Sequence, residues 1–405
     1  MIVRRAFSAI RTPRAAALGA RRAAELWARR GAALWIGCLV LTLLSVSWAQ
    51  VDSRRIEEVL KKSVLTQEDF EIIDAFAADE IGRLVRTVDF TEVAKTRASI
   101  VSHQNTQAQY AQRFSEACSR EIGKGFDYAT EQITDPQRRF KVFANLLILV
   151  NELNDPRLLD LGVRMIGHEA VAVQYWAIRA ATNPTVWEKL NQDQATATAM
   201  SRKIIDASGK TVETSSAEVL NLMAQFAGRY DTAPAVDLLV RIANVRIKCY
   251  ADWAVNYELV DTAILKVLSN KLAAGNASNE QIAKAFAQLY SYAIQRYIRG
   301  MQNNSLKGMS QSYLASVLIE TEEQCLSKLL GGTQTGIRRA LEAGDLNALQ
   351  TEHDRLLGSS SQQGVLSAKF NISYGTDGAN RTAPLALPEP QQNKTAAGSQ
   401  PPAQP

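Results

Sequence analysis

The side chains with the widest chemical reach in this sequence are three histidines, His103, His168 and His353, and four cysteines. The histidines occupy separate segments, so only tertiary contact could gather them around a metal or a substrate. His168-Glu169 lacks a second histidine one helical turn on, because position 172 is alanine. His168 therefore reads as a turn or helix-start residue. No H-x2-C or C-x2-C pattern, phosphate-binding loop, dinucleotide fingerprint or nucleophile elbow occurs. Cys38 lies inside an apolar run, while Cys118, Cys249 and Cys325 are widely spaced and show no metal-ligand spacing. Cys118 and Cys249 fall in helical apolar patterns, which reads as burial; one disulfide with a free thiol stays open. No catalytic, cofactor-binding or metal residue is assigned, and no cofactor is expected.

Carboxylate chemistry needs only two acids facing each other across a groove with aromatic platforms, as in glycoside hydrolysis. Asp160 and Asp237 hold equivalent places in two similar segments, each with an arginine four residues on, Arg164 and Arg241. Equivalent places imply equivalent structural work, namely capping or pairing with that arginine. Trp176 and Trp253 likewise read as repeated packing residues. Tyr290, Tyr292, Tyr297 and Tyr313, with Arg296 and Arg299, are of the types favoured where a protein partner docks.

The elements positioning these residues read as helices. Tyr110, Phe114, Cys118, Ile122 and Phe126 recur every fourth residue, predicting a helix over about 102–130. Asp135-Pro136 is a cap and first-turn pair for the next helix. Further helices are expected over about 278–298, 310–330, 334–343 and 345–357, with Gly331-Gly332 as a stop. Residues 158–178 and 235–255 match in one register at an offset of 77, through Asp160/Asp237, Leu161/Leu238, Val163/Val240, Arg164/Arg241, Trp176/Trp253 and Ala177/Ala254. Each unit would hold a helix ending near 153 or 230, a proline-containing turn, a second helix, and another bearing Trp176 or Trp253 on its apolar face. One such unit cannot bury its apolar face alone, whereas stacked units can.

On Asp155-Pro156-Arg157-Leu158-Leu159-Asp160-Leu161-Gly162-Val163-Arg164 and the alanine-bearing stretch Ala170 to Ala181, the chain resembles HEAT/armadillo-like α-solenoid repeat proteins. The resemblance covers about 137–268. It implies an all-α fold, a helical-hairpin repeat or solenoid-like array, with a non-repeating helical bundle as the runner-up. The expected organisation is a signal peptide or uncleaved anchor over 1–49, an N-terminal helical region over 50–135, and the duplicated region over 136–268. A C-terminal helical region over 269–357 and a disordered polar, Pro-rich tail over 358–405 complete it.

Charge and targeting bound the function. Eight arginines and one glutamate precede Gln50; without them, 46 basic and 41 acidic residues fall to 38 and 40, a net of −2. The near-neutral body gives no basic stripe, so no nucleic acid is expected. Residues 32–46 are charge-free, follow Arg29-Arg30 and lead into Ser47-Trp48-Ala49, the pattern of a secretory signal peptide. Uncleaved, residues 32–49 would be a transmembrane helix and membrane attachment. The expected destination is extracytoplasmic, periplasmic or secreted. The function expected is a noncatalytic helical scaffold with a protein partner. The alternatives are an exported enzyme with a carboxylate pair acting on polysaccharide, and a membrane-anchored assembly component.

Overall fold

The computed structural model describes residues 54–275, 279–375 and 381–390. Among these the chain is all-α, with no strand and one isolated bridge between Gly358 and Gln363. Local chemistry sets many of the helix ends. Asp135 accepts hydrogen bonds from the Gln137 and Arg138 amides, with Pro136 in the first turn, and so starts α5 (Pro136–Leu153). Asp193 does the same for α9 (Gln194–Gly209), and Asp345 for α17 (Leu346–Leu357). Asn154, in the left-handed region at φ 49°, ends α5. Gly331 and Gly332, at φ 80° and 83°, end α15 (Ser327–Leu330).

The described chain divides into two compact units. The first comprises the residues to Glu80 together with Ser102–Ala117. It holds a helix over 54–60 (α1), most of α2 (Gln67–Arg86) and the start of α4 (Ala108–Gln132). Thr66 and Asp69 cap α2 reciprocally, each side chain accepting from the other's amide, at 2.9 and 3.4 Å. Phe76 packs against His103 with ring centroids 4.6 Å apart, and Tyr110 stacks on Phe114 at 5.7 Å. The Tyr110 hydroxyl donates to the His103 carbonyl at 2.9 Å, so His103 is part of an aromatic cluster.

The second unit comprises Ile81–Val101 and the residues from Cys118 onward. Its helices pair as neighbours: α5 and α6 (Leu159–Met165) against α7 (Val171–Ala181), α10 (Ala217–Ala227) against α11 (Ala233–Ala251) and α12 (Leu259–Ala274), and α16 (Gly336–Ala343) against α17. This is a paired, hairpin-like packing, consistent with a solenoid-like array and with the helical bundle expected as the runner-up. Close approach requires a glycine at position 162, where a Cβ would stand 3.1 Å from the Ala177 carbonyl oxygen of α7. α13 (Asn279–Gln302) is buried on nearly every side, and α11, α12, α14 (Gly308–Glu320) and α17 all pack on it. Sequestering Phe286, Leu289 or Ile294 stabilises the unit by roughly 1.5–3 kcal/mol each.

The two similar segments do not fold alike. Between α6 and α7 the chain turns through Ile166–Ala170, where the Ala170 amide donates to His168 Nδ1. The corresponding stretch, 243–247, lies inside the unbroken helix α11. Trp176 is thus within α7, while Trp253 lies beyond the end of α11 at φ 56°. At the place where the first segment has Glu169 in its turn, the second has Arg246 inside α11, in a buried bidentate contact with Asp261 at 2.6 and 3.0 Å.

A π-helical stretch, Thr321–Leu326, follows α14 and carries Glu322. This carboxylate is fully buried and accepts from the Ile337 and Arg338 amides at 2.7 and 2.9 Å, capping α16 from another helix. Burial pushes its pKa up, against the pull of those two amides.

The expectation of a transmembrane helix with membrane attachment is corrected: among the described residues no helix is long and apolar enough to cross a bilayer. Residues 32–49, and the signal segment as a whole, lie outside the described residues. Of the segment expected to be a disordered tail, residues 358–375 and 381–390 hold defined positions, with Leu366, Ile372, Tyr374 and Leu387 buried. Residues 391–405 lie outside the described residues.

Candidate functional site

Lys284, Gln288, Tyr292, Gln295 and Arg299 are spaced three or four residues apart along α13, so they share one face of that helix. Four of them grip an extended segment, Pro384 to Pro388, by its main chain. Gln288 acts as a two-point clamp: its Oε1 accepts from the Leu385 amide at 2.8 Å and its Nε2 donates to the Leu385 carbonyl at 3.2 Å. About two turns on, Gln295 donates to that same carbonyl at 3.1 Å and accepts from the Leu387 amide at 2.7 Å. The Tyr292 hydroxyl donates to the Ala386 carbonyl at 3.3 Å, and the Arg299 guanidinium donates to the Leu387 carbonyl. Trp253 Nε1 completes the row by donating to the Pro388 carbonyl at 2.8 Å. Lys284 holds the Gly375 carbonyl at 2.8 Å on the same face.

Two side chains of the segment are anchors. Pro384 and Leu387 are buried, while Ala386, Pro388 and Glu389 are exposed. Glu389 pairs with Arg299 at 3.0 Å. The clamp thus reads main-chain amides and carbonyls at nearly every position and side chains at only a few. Trp253 is held in place by Arg296, whose guanidinium lies 4.3 Å from the indole centroid. A tryptophan at positive φ is an outlier that persists only where its surroundings fix it.

Beneath this row runs a polar chain that is buried at Ser291 and His353. Gln295 Nε2 donates to Ser291 Oγ at 2.8 Å, Ser291 Oγ lies 2.8 Å from His353 Nε2, and His353 Nδ1 lies 2.9 Å from Asp354 Oδ1. The His353 contact holds the Asp354 carboxyl below the usual range, with help from Gln350. The connectivity is that of nucleophile, base and orienting acid. The accessibility is not: Ser291 is 0% exposed, and its hydroxyl is already engaged by Gln295 and His353. A cavity of about 380 Å³ beside it is lined by Arg299, His353, Asp354, Ser359 and Pro384, without Ser291. What the chain can do chemically is link the bound segment, through Gln295, to the His353–Asp354 pair.

The structure scatters the other residues of chemical interest. His103 packs in the first unit and His168 accepts in a turn, where burial lowers its pKa. Asp160 pairs with Lys203 at 3.0 Å and Arg164 with Asp127, so the pairing expected between Asp160 and Arg164 is not made. Asp237 does lie 3.9 Å from Arg241, whose closer partner is Glu213 at 2.6 Å. Cys118, Cys249 and Cys325 are free thiols, and burial pushes Cys325 up to about 11. Tyr290 is fully buried with its hydroxyl on the Leu318 carbonyl, and Tyr313 is partly exposed on α14. Tyr292, Arg296, Arg299 and Trp253, by contrast, come together at the clamp. Gln288, Gln295 and Ser291 carry no sequence motif; their spacing along one helix face was the only available signal. Among the described residues no group of three or more histidine, cysteine or acidic side chains could hold a metal ion.

Fold and site together define an all-α protein of paired helices that holds an extended stretch of its own chain by the main chain. Comparison with family models, curated proteins and solved structures found no match.

Proposed function

We propose that this protein is a noncatalytic, extracytoplasmic helical scaffold that engages protein partners through the surfaces of its paired helices, in the manner of HEAT/armadillo-like repeat proteins. The observation that carries the reading is the clamp on α13: amide, hydroxyl, guanidinium and indole donors arrayed along one helix face to satisfy an extended peptide backbone. A backbone is what every protein partner offers, and such a surface binds without chemistry. The extracytoplasmic placement is supported by the basic flank, the short apolar run and the small-residue exit of the leader. The carboxylate-pair alternative gains nothing from this groove, whose reading groups are amides, a phenol, an indole and a guanidinium.

The test is crosslinking of the tagged full chain in its native envelope or secreted fraction, with amino-terminal peptides read from the same sample. The expected result is one reproducible protein partner and a mature chain beginning near Gln50. A folded chain that stays monomeric and uncrosslinked in every fraction overturns the reading.

A further inference from the structure

We propose that the face of α13 carrying Gln288, Tyr292, Gln295 and Arg299 is a binding groove for an extended Pro-x-x-Leu segment of a partner protein, and that residues 384–388, which cover it, are its tethered, displaceable occupant. The inference rests on the scaffold reading and names the partner's chemistry.

Three observations converge on it. First, the groove satisfies the main chain nearly completely. From the Leu385 amide to the Pro388 carbonyl, every acceptor has a donor: Gln288 and Gln295 for Leu385, Tyr292 for Ala386, Arg299 for Leu387 and Trp253 for Pro388. The Leu385 and Leu387 amides meet Gln288 and Gln295. Prolines at 384 and 388 bring no N–H to satisfy, and they favour the extended conformation before binding. Second, only Pro384 and Leu387 are buried, so side-chain specificity reduces to a proline and a leucine three residues apart. An acidic residue two after that leucine would take the place of Glu389 on Arg299. Third, the Trp253 backbone is held at φ 56°, and its indole spends its only donor on the segment. Strain of this kind gathers at ligand clamps.

A partner's segment is favoured over that of a second copy by simple counting. Exchange of 384–388 between two copies breaks and remakes the same contacts while losing the advantage of the tether. A partner that adds contacts around the groove has a net gain. The tether also makes the groove regulated. A short linker supplies a local concentration on the order of 1 mM, so a groove with intrinsic affinity of about 0.1 mM binds free peptide roughly tenfold more weakly while its own segment is seated.

The probe is the fluorophore-labelled hexapeptide Pro-Leu-Ala-Leu-Pro-Glu, followed by anisotropy against the full chain. Leu387→Asp in the protein unseats the resident segment while leaving the helices intact, which circular dichroism checks. The expected result is saturable binding to this variant with Kd at least tenfold below that of the unaltered chain. Adding Gln288→Ala should then weaken it at least fivefold, and a scrambled hexapeptide should not bind. A folded Leu387→Asp variant that does not bind the peptide, or binds the scrambled one equally, overturns the groove. Capture of the same crosslinked partner at the same yield by the Leu387→Asp/Gln288→Ala chain would also overturn it, while leaving the scaffold reading intact.

Discussion

Asp261 is fully buried and accepts three hydrogen bonds: from Arg246 Nε at 2.6 Å, Arg246 Nη2 at 3.0 Å and the Tyr250 hydroxyl at 2.8 Å. Arg246 is 3% exposed and otherwise reaches only the Asn256 carbonyl. Replacing Asp261 by alanine therefore strands a guanidinium that cannot shed its charge. Removing one partner of a buried pair costs about 3–5 kcal/mol, chiefly the desolvation of the survivor. At about 2 °C per kcal/mol, the low end for larger domains, the melting temperature should fall by about 6–10 °C. The triple replacement Arg246→Met/Asp261→Leu/Tyr250→Phe removes every member of the network at similar volume, and the same principle places it within about 2 kcal/mol of the parent. Urea denaturation followed by circular dichroism measures both. A cost below about 1 kcal/mol for Asp261→Ala, or a triple variant as unstable as the single one, would refute a stranded buried charge as the cause.

Ser291→Ala leaves His353 Nε2 without its partner in a buried site and should cost about 1–3 kcal/mol in urea melts, whether or not peptide is bound. Gly162→Val drives a side chain into the backbone of α7 and should cost about 1–3 kcal/mol by the same measurement. Gly123→Ala, inside α4 with its added Cβ meeting nothing nearer than Leu161 at 4.0 Å, is its control and should be stabilising by up to about 1 kcal/mol. His168 is held below its ordinary 6.5 by burial, so the unfolded chain takes up the proton first on acidification. Its contribution is complete above pH 6.5 and is lost as pH falls toward the lowered folded value; His168→Asn, which can keep the turn, should flatten the stability profile between pH 5 and 7.

The helices and several of their ends were legible because their causes are local. Tyr110, Phe114, Cys118, Ile122 and Phe126 are all buried along α4, and Asp135-Pro136 starts α5 as its composition dictates. The similar segments at an offset of 77 were legible as similarity but not as geometry. The first segment turns at 166–170, while the second runs on as helix through 243–247 and carries Arg246 to Asp261 across a loop, a contact that no local pattern encodes. The clamp was hidden for a related reason. Its glutamines have no characteristic chemistry alone, and the segment they hold lies 90 to 97 residues further along the chain. Prolines, alanine and leucine in a polar neighbourhood look like a segment with too little to bury, because the sequence does not show that another element supplies the hydrogen bonds. Trp253 read as half of a repeated packing pair; its left-handed backbone follows from the end of α11 and from the indole's partners, not from the residue type.

Glu322 has a consequence for how the chain can be taken apart. Thr335 makes no side-chain cap for α16, and the Glu322 carboxylate, thirteen residues upstream of that threonine and beyond the Gly331-Gly332 stop, meets two of the helix's first amides. The glycine pair looks from the sequence like a natural cutting point, yet a break there would part a helix from the group that terminates it. Chains divided, permuted or grafted between 331 and 335 would carry α16 away with open amides. Joints drawn by flexibility and joints drawn by hydrogen-bond ownership fall in different places here, and the second kind decides which fragments are whole.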